Sequence, residues 1–284
     1  MGLARHKVGV RYGERTEVVD PERVKAYAAA TNEGDDAYRS GGSVPPVFAV
    51  VPTWAALGEA LADVVPAEAT LRIVHGEQDM HFHRPLVPGM VLSTVAEAYS
   101  IRPVGSASRY TVKLTSTDGT TREPVLEQYA TMVIRDLPGT EKAGPDKPDH
   151  RFPAGARDHW VGEQSIHVDP DQTFRYRDAS GDEMAIHVDD EVARGVGLPG
   201  IIVHGLCTMA MTGQAVLDTV AGGDPSRLLR LAVRFSEFVL PGEDLVTTVY
   251  DAGADPTTGH LVYAFEAHSN GRRCITHGRA EVAA

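Results

Sequence analysis

Apolar and polar residues follow helical and strand-like periods in the first half of the chain. Asp20 and Pro21 make a favourable N-cap and first-turn pair for a helix that runs to about Thr31. Apolar residues at helical spacing predict a second helix over residues 53–65. Strands are then predicted at 71–74, 90–101, 110–115 and 125–134, with a hairpin turn signal at Asp118-Gly119.

The second half repeats this order of elements. An apolar stretch without an internal proline predicts a long buried helix over residues 205–220. Strands are predicted near 228–236, 244–251, 260–267 and 274–282. A long helix followed by an antiparallel sheet, twice in one chain, is an α+β arrangement.

Short sequence blocks support a duplication. The segment from His81 to Tyr99 recurs from Arg234 to Ala252, and Val19-Asp20-Pro21 recurs as Val168-Asp169-Pro170. The offsets are 153 and 149 residues, which are nearly equal. Two large copies indicate a duplicated domain, because a solenoid needs at least three short repeats.

The length of 284 residues fits two domains, each large enough for its own core. We predict an N-terminal domain at 1–136 and a C-terminal domain at 158–284. The segment 137–157 between them contains four prolines together with glycine, lysine and aspartate, and is predicted to be the linker.

Composition narrows the function classes. The net charge of −12 argues against nucleic-acid binding, which needs a basic surface. No apolar run approaches the ~20 residues of a membrane span, and no signal-peptide core is seen, so a cytoplasmic protein without membrane association is expected. Two cysteines are too few for a disulfide framework, and Cys207 is predicted to be a small buried apolar residue.

The segment from Ser180 to Met209 carries the candidate chemistry. Asp182 precedes His187 by five residues, too many for pairing on one helix turn, so the two are predicted to meet across a curved loop. A histidine with a carboxylate partner is oriented for proton transfer. Gly205 opens the long helix, where unpaired N–H groups and the helix dipole favour an oxyanion.

These residues resemble the signature of the MaoC-like, R-specific enoyl-CoA hydratases and acyl-thioester dehydratases. Gly181-Asp182, Ile186 to Asp189, and Pro199 to Gly205 match that signature in order and spacing. Two positions depart from it. Met184-Ala185 stand where the family usually has Asn-Pro, and Gly213 stands near a position that is usually polar.

The resemblance implies a double hotdog fold, in which a sheet wraps each long helix. It implies reversible hydration of trans-2-enoyl-CoA to (R)-3-hydroxyacyl-CoA, with Asp182 and His187 as catalytic residues and the Gly205 amide binding the thioester oxygen. No cofactor is expected. No metal is expected either, because His75, His81 and His83 lack the cysteine or carboxylate spacing that would complete a site. The partners expected are the thioester and, as an option, a second copy of the chain in a homodimer.

The two copies differ in their chemistry. At the repeat offset Asp182 corresponds to Asp35, but His187 corresponds to Ser40. His204-Gly205 corresponds to Val50-Val51. We therefore expect catalysis in the C-terminal copy alone, and the resemblance gives the N-terminal copy the task of shaping the acyl-chain site.

Three alternatives stay open. A dehydratase acting on carrier-protein-bound 3-hydroxyacyl intermediates is the main one, although the acidic chain would repel an acidic carrier. A hotdog thioesterase would need a carboxylate on or near the long helix, whose first acid is Asp218. A non-catalytic acyl-binding subunit would be expected to lack Asp182 or His187. Binding of CoA phosphates requires a local basic patch, for which the candidates are Arg227, Arg230, Arg234, Arg272 and Arg273.

Overall fold

A computed structural model describes residues 2–139 and 141–284, so one residue of the predicted linker, Thr140, lies outside it. The α-helices are α1 (Pro21–Ala30), α2 (Asp36–Arg39), α3 (Val50–Val64), α4 (Gln172–Ser180), α5 (Asp190–Gly195) and α6 (Gly205–Ala221). The strands are β1 (Arg15–Val18), β2 (Ile73–Phe82), β3 (Val91–Val104), β4 (Ala107–Asp118), β5 (Pro124–Ile134), β6 (Trp160–His167), β7 (Leu228–Phe235), β8 (Asp244–Ala254), β9 (Leu261–Ser269) and β10 (Arg272–Val282).

The chain forms two compact units. One consists of Met1–Val18, Pro52–Arg84 and Met90–His150, and the other of Val19–Val51, Pro85–Gly89 and Arg151–Ala284. The N-terminal sequence repeat thus contributes residues to both units. The domain boundaries at 1–136, 137–157 and 158–284 stay a prediction about the sequence repeats.

The first unit is an antiparallel sheet with a helix packed on it. Its strand order is β1-β3-β4-β5-β2. Apolar residues of α3, among them Leu57, Ala60 and Val64, share a core with Tyr110 and other residues of the sheet. The Tyr110 hydroxyl donates to the Ala60 carbonyl at 3.1 Å, so the one polar atom of this large buried ring is satisfied.

The second unit has the equivalent strand order, β6-β8-β9-β10-β7, and is also antiparallel. Helix α6 packs on this sheet with most of its residues buried. Helices α1 and α4 pack together, with the rings of Tyr27 and Tyr176 at 5.6 Å. The predicted start of α1 is confirmed, since the Asp20 carboxylate accepts hydrogen bonds from the Glu22 and Arg23 amides.

The strand prediction was wrong at three places. Residues 67–72 form a 3₁₀ helix, so the strand expected at 71–74 begins only at Ile73 and extends to Phe82. Strands β1 and β6 were missed. Both lie at one end of their sheet's strand order and are largely exposed, so neither needs the apolar alternation that marks a half-buried strand.

Part of the predicted linker is bonded to the first unit. Ala143 pairs with Ile101 next to β3. The Arg102 guanidinium donates to the carbonyls of Gly144 and Pro145 at 3.0 and 2.6 Å. The backbone of Ile101 and the side chain of Arg102 therefore hold this segment at residues 143–145.

One helical stretch, Pro46–Val64, is long and apolar enough to cross a membrane by length and composition, with a mean hydropathy of 1.4. The expectation that no stretch approaches this length is corrected by that finding. A core helix of a globular protein has the same length and apolar composition. Because 61% of the stretch is buried, the evidence for a membrane span is weak.

Candidate active site

The loop after α4 holds Asp182 at the start of a turn. Helix α4 ends at Ser180, and the φ of +83° at the next residue, Gly181, turns the chain out of the helix, a conformation that glycine adopts without strain. The Asp182 carboxylate then accepts a hydrogen bond from the Met184 amide at 3.2 Å. A short 3₁₀ turn, Ala185–His187, follows and carries His187 back toward this carboxylate.

The imidazole of His187 is held by the segment that precedes α6. Its Nδ1 atom lies 2.8 Å from the Ile202 carbonyl oxygen, and the Ile202 amide donates to the Ile186 carbonyl at 3.3 Å. A carbonyl oxygen only accepts, so Nδ1 carries the proton. In the neutral ring Nε2 therefore has no proton and carries a lone pair, as a general base requires.

His204 connects the same loop to the first residue of α6. Its Nε2 atom donates to the Asp182 backbone carbonyl at 3.1 Å, and its ring stacks on His187 with centroids 3.9 Å apart. Its buried Nδ1 atom has no hydrogen-bond partner among the described residues. Ligand atoms of Asp182, His187 and His204 all lie within 4.8 Å of one another, so the fold brings together the acid and the histidine that the sequence pairs.

Gly205 begins α6 directly after His204. The first amides of an α-helix have no acceptor within the helix, so the Gly205 N–H is available at this end of α6. A β-carbon on Gly205 would lie 3.4 Å from the Phe235 ring, an ordinary contact distance. Close packing therefore does not require glycine at this position.

Burial controls the titration of the pair. It raises the pKa of Asp182, and it lowers the pKa of His187, because in each case the charged form loses its hydration. The two groups oppose these shifts through their mutual attraction. Burial also lowers the pKa of His204 to about 3, so His204 is a neutral hydrogen-bonding group.

The three side chains do not suit a metal ion. An ion bonded to an imidazole lies in the ring plane at about 2 Å from the nitrogen. The rings of His187 and His204 are 3.9 Å apart and only 26° from parallel. Their planes meet well beyond bonding distance, so one ion cannot bond both rings.

Two residues that the sequence analysis did not select also shape the site. Arg23 of α1 donates to the carbonyls of Ala179 and Ser180 at 3.1 and 2.9 Å, directly before the loop of Asp182. The Tyr176 ring packs 4.9 Å from the His204 ring. Tyr176 had a signal in the sequence, because it recurs at the repeat offset from Tyr27, whereas Arg23 had none.

Several other candidate residues have structural partners. Four of the arginines considered for CoA phosphates have such partners. The ion pairs are Arg230 with Glu281, Arg272 with Glu243 and Arg273 with Glu266, and Arg227 donates to the Ala283 carbonyl. Asp189 caps α5 by accepting from the Glu191 and Val192 amides. Burial raises the pKa of Cys207 to about 12, which fits a buried thiol rather than a nucleophile.

Comparisons with known proteins match both halves of the chain. Residues 154–264 match the MaoC like domain, and residues 6–127 match the FAS1-like, dehydratase domain region. A probable enoyl-CoA hydratase 2 of Dictyostelium discoideum is 24% identical over 242 residues, which are 82% of this chain and 80% of that protein. The 3-hydroxyacyl-thioester dehydratase Y of Mycobacterium tuberculosis is 32% identical over 187 residues, 63% of this chain and 61% of that protein. Further relatives have the word peroxisomal in their names.

The crystal structure of a MaoC-like dehydratase from Phytophthora capsici superimposes with a TM-score of 0.85. The match covers 100% of this chain and 98% of that one, at 24% identity, so it shows a shared fold. The predicted α+β, double hotdog fold is confirmed. The chain thus contains a MaoC like domain at residues 154–264 and has, over its whole length, the fold of a MaoC-like dehydratase.

Proposed function

We propose that this protein is a lyase that adds water reversibly to trans-2-enoyl-CoA and forms (R)-3-hydroxyacyl-CoA. The observation that carries the proposal is the approach of Asp182 and His187 to each other beside the first residue of α6. A relative named as a probable enoyl-CoA hydratase 2 aligns over 82% of the chain and supports it.

In the proposed mechanism the thioester oxygen accepts a hydrogen bond from the Gly205 amide, which stabilises the enolate. Neutral His187 removes a proton from water through Nε2 as the water oxygen bonds to C3. Protonated Asp182 delivers its proton to C2 on the same face. Burial supports both roles, because it favours the neutral form of each group.

A dehydratase acting on carrier-protein thioesters is the second candidate. The relative named 3-hydroxyacyl-thioester dehydratase Y supports the dehydration direction without naming the thioester carrier, and the same pair would work in that direction. The net charge of −12 favours CoA over an acidic carrier protein. A cytoplasmic location, a homodimer and the absence of a cofactor stay predictions.

The test is an assay of trans-2-butenoyl-CoA hydration. The loss of the enoyl absorbance measures the rate, and chiral analysis of the product identifies the (R) isomer. Asp182→Asn and His187→Ala should each lower kcat/KM by at least about a hundredfold, because each removes one proton-transfer group. Asp178→Asn and His167→Ala are matched controls at exposed positions of the same unit. Activity within a few-fold of wild type in either dyad variant, with an unchanged melt, would place the chemistry elsewhere.

A further inference from the structure

The carbonyl that orients His187 lies in a segment without helix or strand, residues 199–203, which leads into α6. The Ile202 carbonyl of this segment accepts a hydrogen bond from His187 Nδ1 at 2.8 Å. The Ile202 amide donates to the Ile186 carbonyl at 3.3 Å. Because such a segment has no regular hydrogen-bond ladder, its position depends on individual contacts of this kind. The direction of the imidazole therefore depends on what holds residues 199–203.

The side chain of Asp190, the first residue of α5, is bonded to this segment. Its Oδ1 atom accepts a hydrogen bond from the Ile201 amide at 3.3 Å, directly before Ile202. Its Oδ2 atom accepts from Arg194 Nε at 2.7 Å, one turn further along α5. The Arg194 guanidinium, together with the Ile201 amide, holds the pKa of Asp190 below its usual value, so the carboxylate keeps its charge. A chain of contacts thus leads from α5 to His187.

Gly200 leaves room for this carboxylate. The residue is buried, and a β-carbon on it would lie 2.8 Å from Asp190 Oδ1 and 3.5 Å from Arg194 Nη2. The first distance is too short for a real contact, so a side chain at this position would push the carboxylate away from the Ile201 amide. Gly200 does not have a positive φ. The site therefore needs the missing side chain of glycine here and not a special backbone conformation.

The hydrogen bond to the Ile202 carbonyl also influences the titration of His187. Burial lowers the pKa of His187, and this hydrogen bond opposes the shift, as does the Asp182 carboxylate. His204, whose ring stacks on the same imidazole, is neutral. Displacement of the Ile202 carbonyl would remove one of the contacts that raise the pKa of His187, so that pKa would fall further.

The contacts of Asp190 matter more for position than for stability. The side chains of Asp190 and Arg194 are 55% and 62% exposed, and exposed ion pairs of this kind contribute little to stability. The rate is more sensitive, because a displacement of about 1 Å at a reacting centre can cost ~10²-fold. Loss of the bond between Asp190 and the Ile201 amide should therefore slow turnover in a protein that still folds.

We propose that Asp190 is a positioning residue for the catalytic base. Held by Arg194 and given room by Gly200, its carboxylate fixes the Ile202 carbonyl, and that carbonyl orients His187. This inference rests on the proposed function, which it deepens by naming what holds the base of the same site.

Two substitutions break the contact between Asp190 and the Ile201 amide from opposite sides. Asp190→Ala removes the acceptor, and Gly200→Ala displaces it with a β-carbon. Each should lower kcat for hydration of trans-2-butenoyl-CoA by about tenfold, with KM within about twofold of wild type, because a displaced base transfers the proton more slowly. The acid limb of the kcat/KM profile should move to lower pH, since the Ile202 carbonyl no longer raises the pKa of His187.

Non-additivity identifies the shared contact. Once Asp190→Ala has removed the carboxylate, the β-carbon of Gly200→Ala has no carboxylate to displace, so the double variant should equal Asp190→Ala within about twofold. Asp190→Asn keeps an acceptor for the Ile201 amide and should stay within about threefold of wild type. Glu191→Ala is the matched control, because Glu191 is another acid in the first turn of α5, and its kcat should match that of wild type.

Wild-type kcat with an unmoved acid limb in folded Asp190→Ala would overturn the inference, and so would losses that multiply in the double variant. Circular-dichroism melts identify any variant that fails to fold. Gly200→Ala then decides if Asp190→Ala does not fold.

Histidine NMR separates this inference from the proposed function. In the full chain with isotope-labelled histidine, the His187 signals, assigned with His187→Ala, report its pKa and tautomer without substrate. The pKa should be lower in Asp190→Ala than in wild type, where Nδ1 carries the proton. If no enoyl-CoA is hydrated, the proposed function fails on its own, and an unchanged pKa of His187 in Asp190→Ala would then overturn the inference.

Discussion

At the scale of single residues, two backbone carbonyls decide which imidazole nitrogens are free. The Ile202 carbonyl accepts from His187 Nδ1, and the Asp182 carbonyl accepts from His204 Nε2. His187 therefore presents Nε2, and His204 presents Nδ1. This orientation suits His187 for proton transfer and gives His204 a positional task.

The pH dependence of kcat/KM for hydration should be bell-shaped, because the mechanism needs one proton on the Asp182–His187 pair. Below the acid limb His187 gains a proton and stops acting as a base. Above the alkaline limb the pair loses its last proton and cannot protonate C2. Since burial lowers the pKa of His187, the acid limb should lie below the usual 6.5, and since burial raises the pKa of Asp182, the alkaline limb should lie above 3.8.

Initial rates at low substrate, measured across pH with butenoyl-CoA, test this directly. The His204→Gln variant is a useful companion, because His204 is neutral throughout this range and its loss should not create or remove a limb. An acid limb at or above pH 6.5 would contradict the assignment of a buried, neutral His187 as the base.

At the scale of elements, a substitution at Gly205, the first residue of α6, can distinguish a role in packing from a role in binding the thioester oxygen. The ordinary contact between a Gly205 β-carbon and the Phe235 ring means that alanine fits there. Alanine also favours the helix over glycine by ~1 kcal/mol in a helix interior, and by less in the first turn. Stability and activity can therefore be measured as separate quantities.

Gly205→Ala should keep the melting temperature within a few degrees of wild type and lower kcat/KM by about tenfold or more, because a methyl group obstructs the approach of the thioester oxygen to the amide. Thermal melts and hydration rates are the two measurements, and Ala221→Gly at the other end of α6 is a control for helix propensity. Parallel losses of stability and activity would instead assign Gly205 to packing.

Arg23 of α1 bonds to the end of α4, directly before the loop that carries Asp182. Arg23→Met removes two donors to the last carbonyls of α4, so the loop that begins at Gly181 should lose its fixed position. We expect kcat to fall about ten- to a hundredfold, because small displacements at a reacting centre have effects of this size, with KM nearly unchanged. Arg39→Met, on exposed α2, is the control, and an unchanged kcat in a folded Arg23→Met protein would remove Arg23 from the site.

At the scale of the whole molecule, the two sequence repeats give sheets with equivalent strand order but different chemistry. The N-terminal counterparts of the pair have structural tasks. Asp35 caps α2 by accepting from the Ala37 amide at 2.7 Å, and the Ser40 hydroxyl donates to the Ala37 carbonyl at 3.1 Å. Ser40 stands at the repeat position that His187 occupies in the C-terminal copy.

Asp35→Ala and Ser40→Ala should therefore retain hydration of butenoyl-CoA within about twofold of wild type. Loss of the Asp35 cap should lower stability by ~0.5–2 kcal/mol, which denaturant unfolding can measure. Complete loss of turnover in folded Asp35→Ala would contradict catalysis by the C-terminal copy alone.

The sequence alone determined the elements whose cause is local. Apolar periodicity placed α3 and α6 and most strands to within a few residues, and the Asp20-Pro21 pair marked the start of α1. The spacing of Asp182, His187 and Gly205 named the candidate pair and its helix. The duplicated blocks predicted a helix-and-sheet plan that occurs twice, and the strand orders found in the two units are equivalent.

Only the tertiary structure decided what depends on distant partners. Arg23 meets the carbonyls of α4 across more than 150 positions of sequence, and no local pattern records such a contact. The tautomer of His187 depends on a carbonyl that another segment supplies. The pKa shifts of the pair follow from burial, which depends on tertiary packing. Local propensity therefore fixes elements and motifs, whereas protonation and orientation at the site come from packing that the linear sequence does not display.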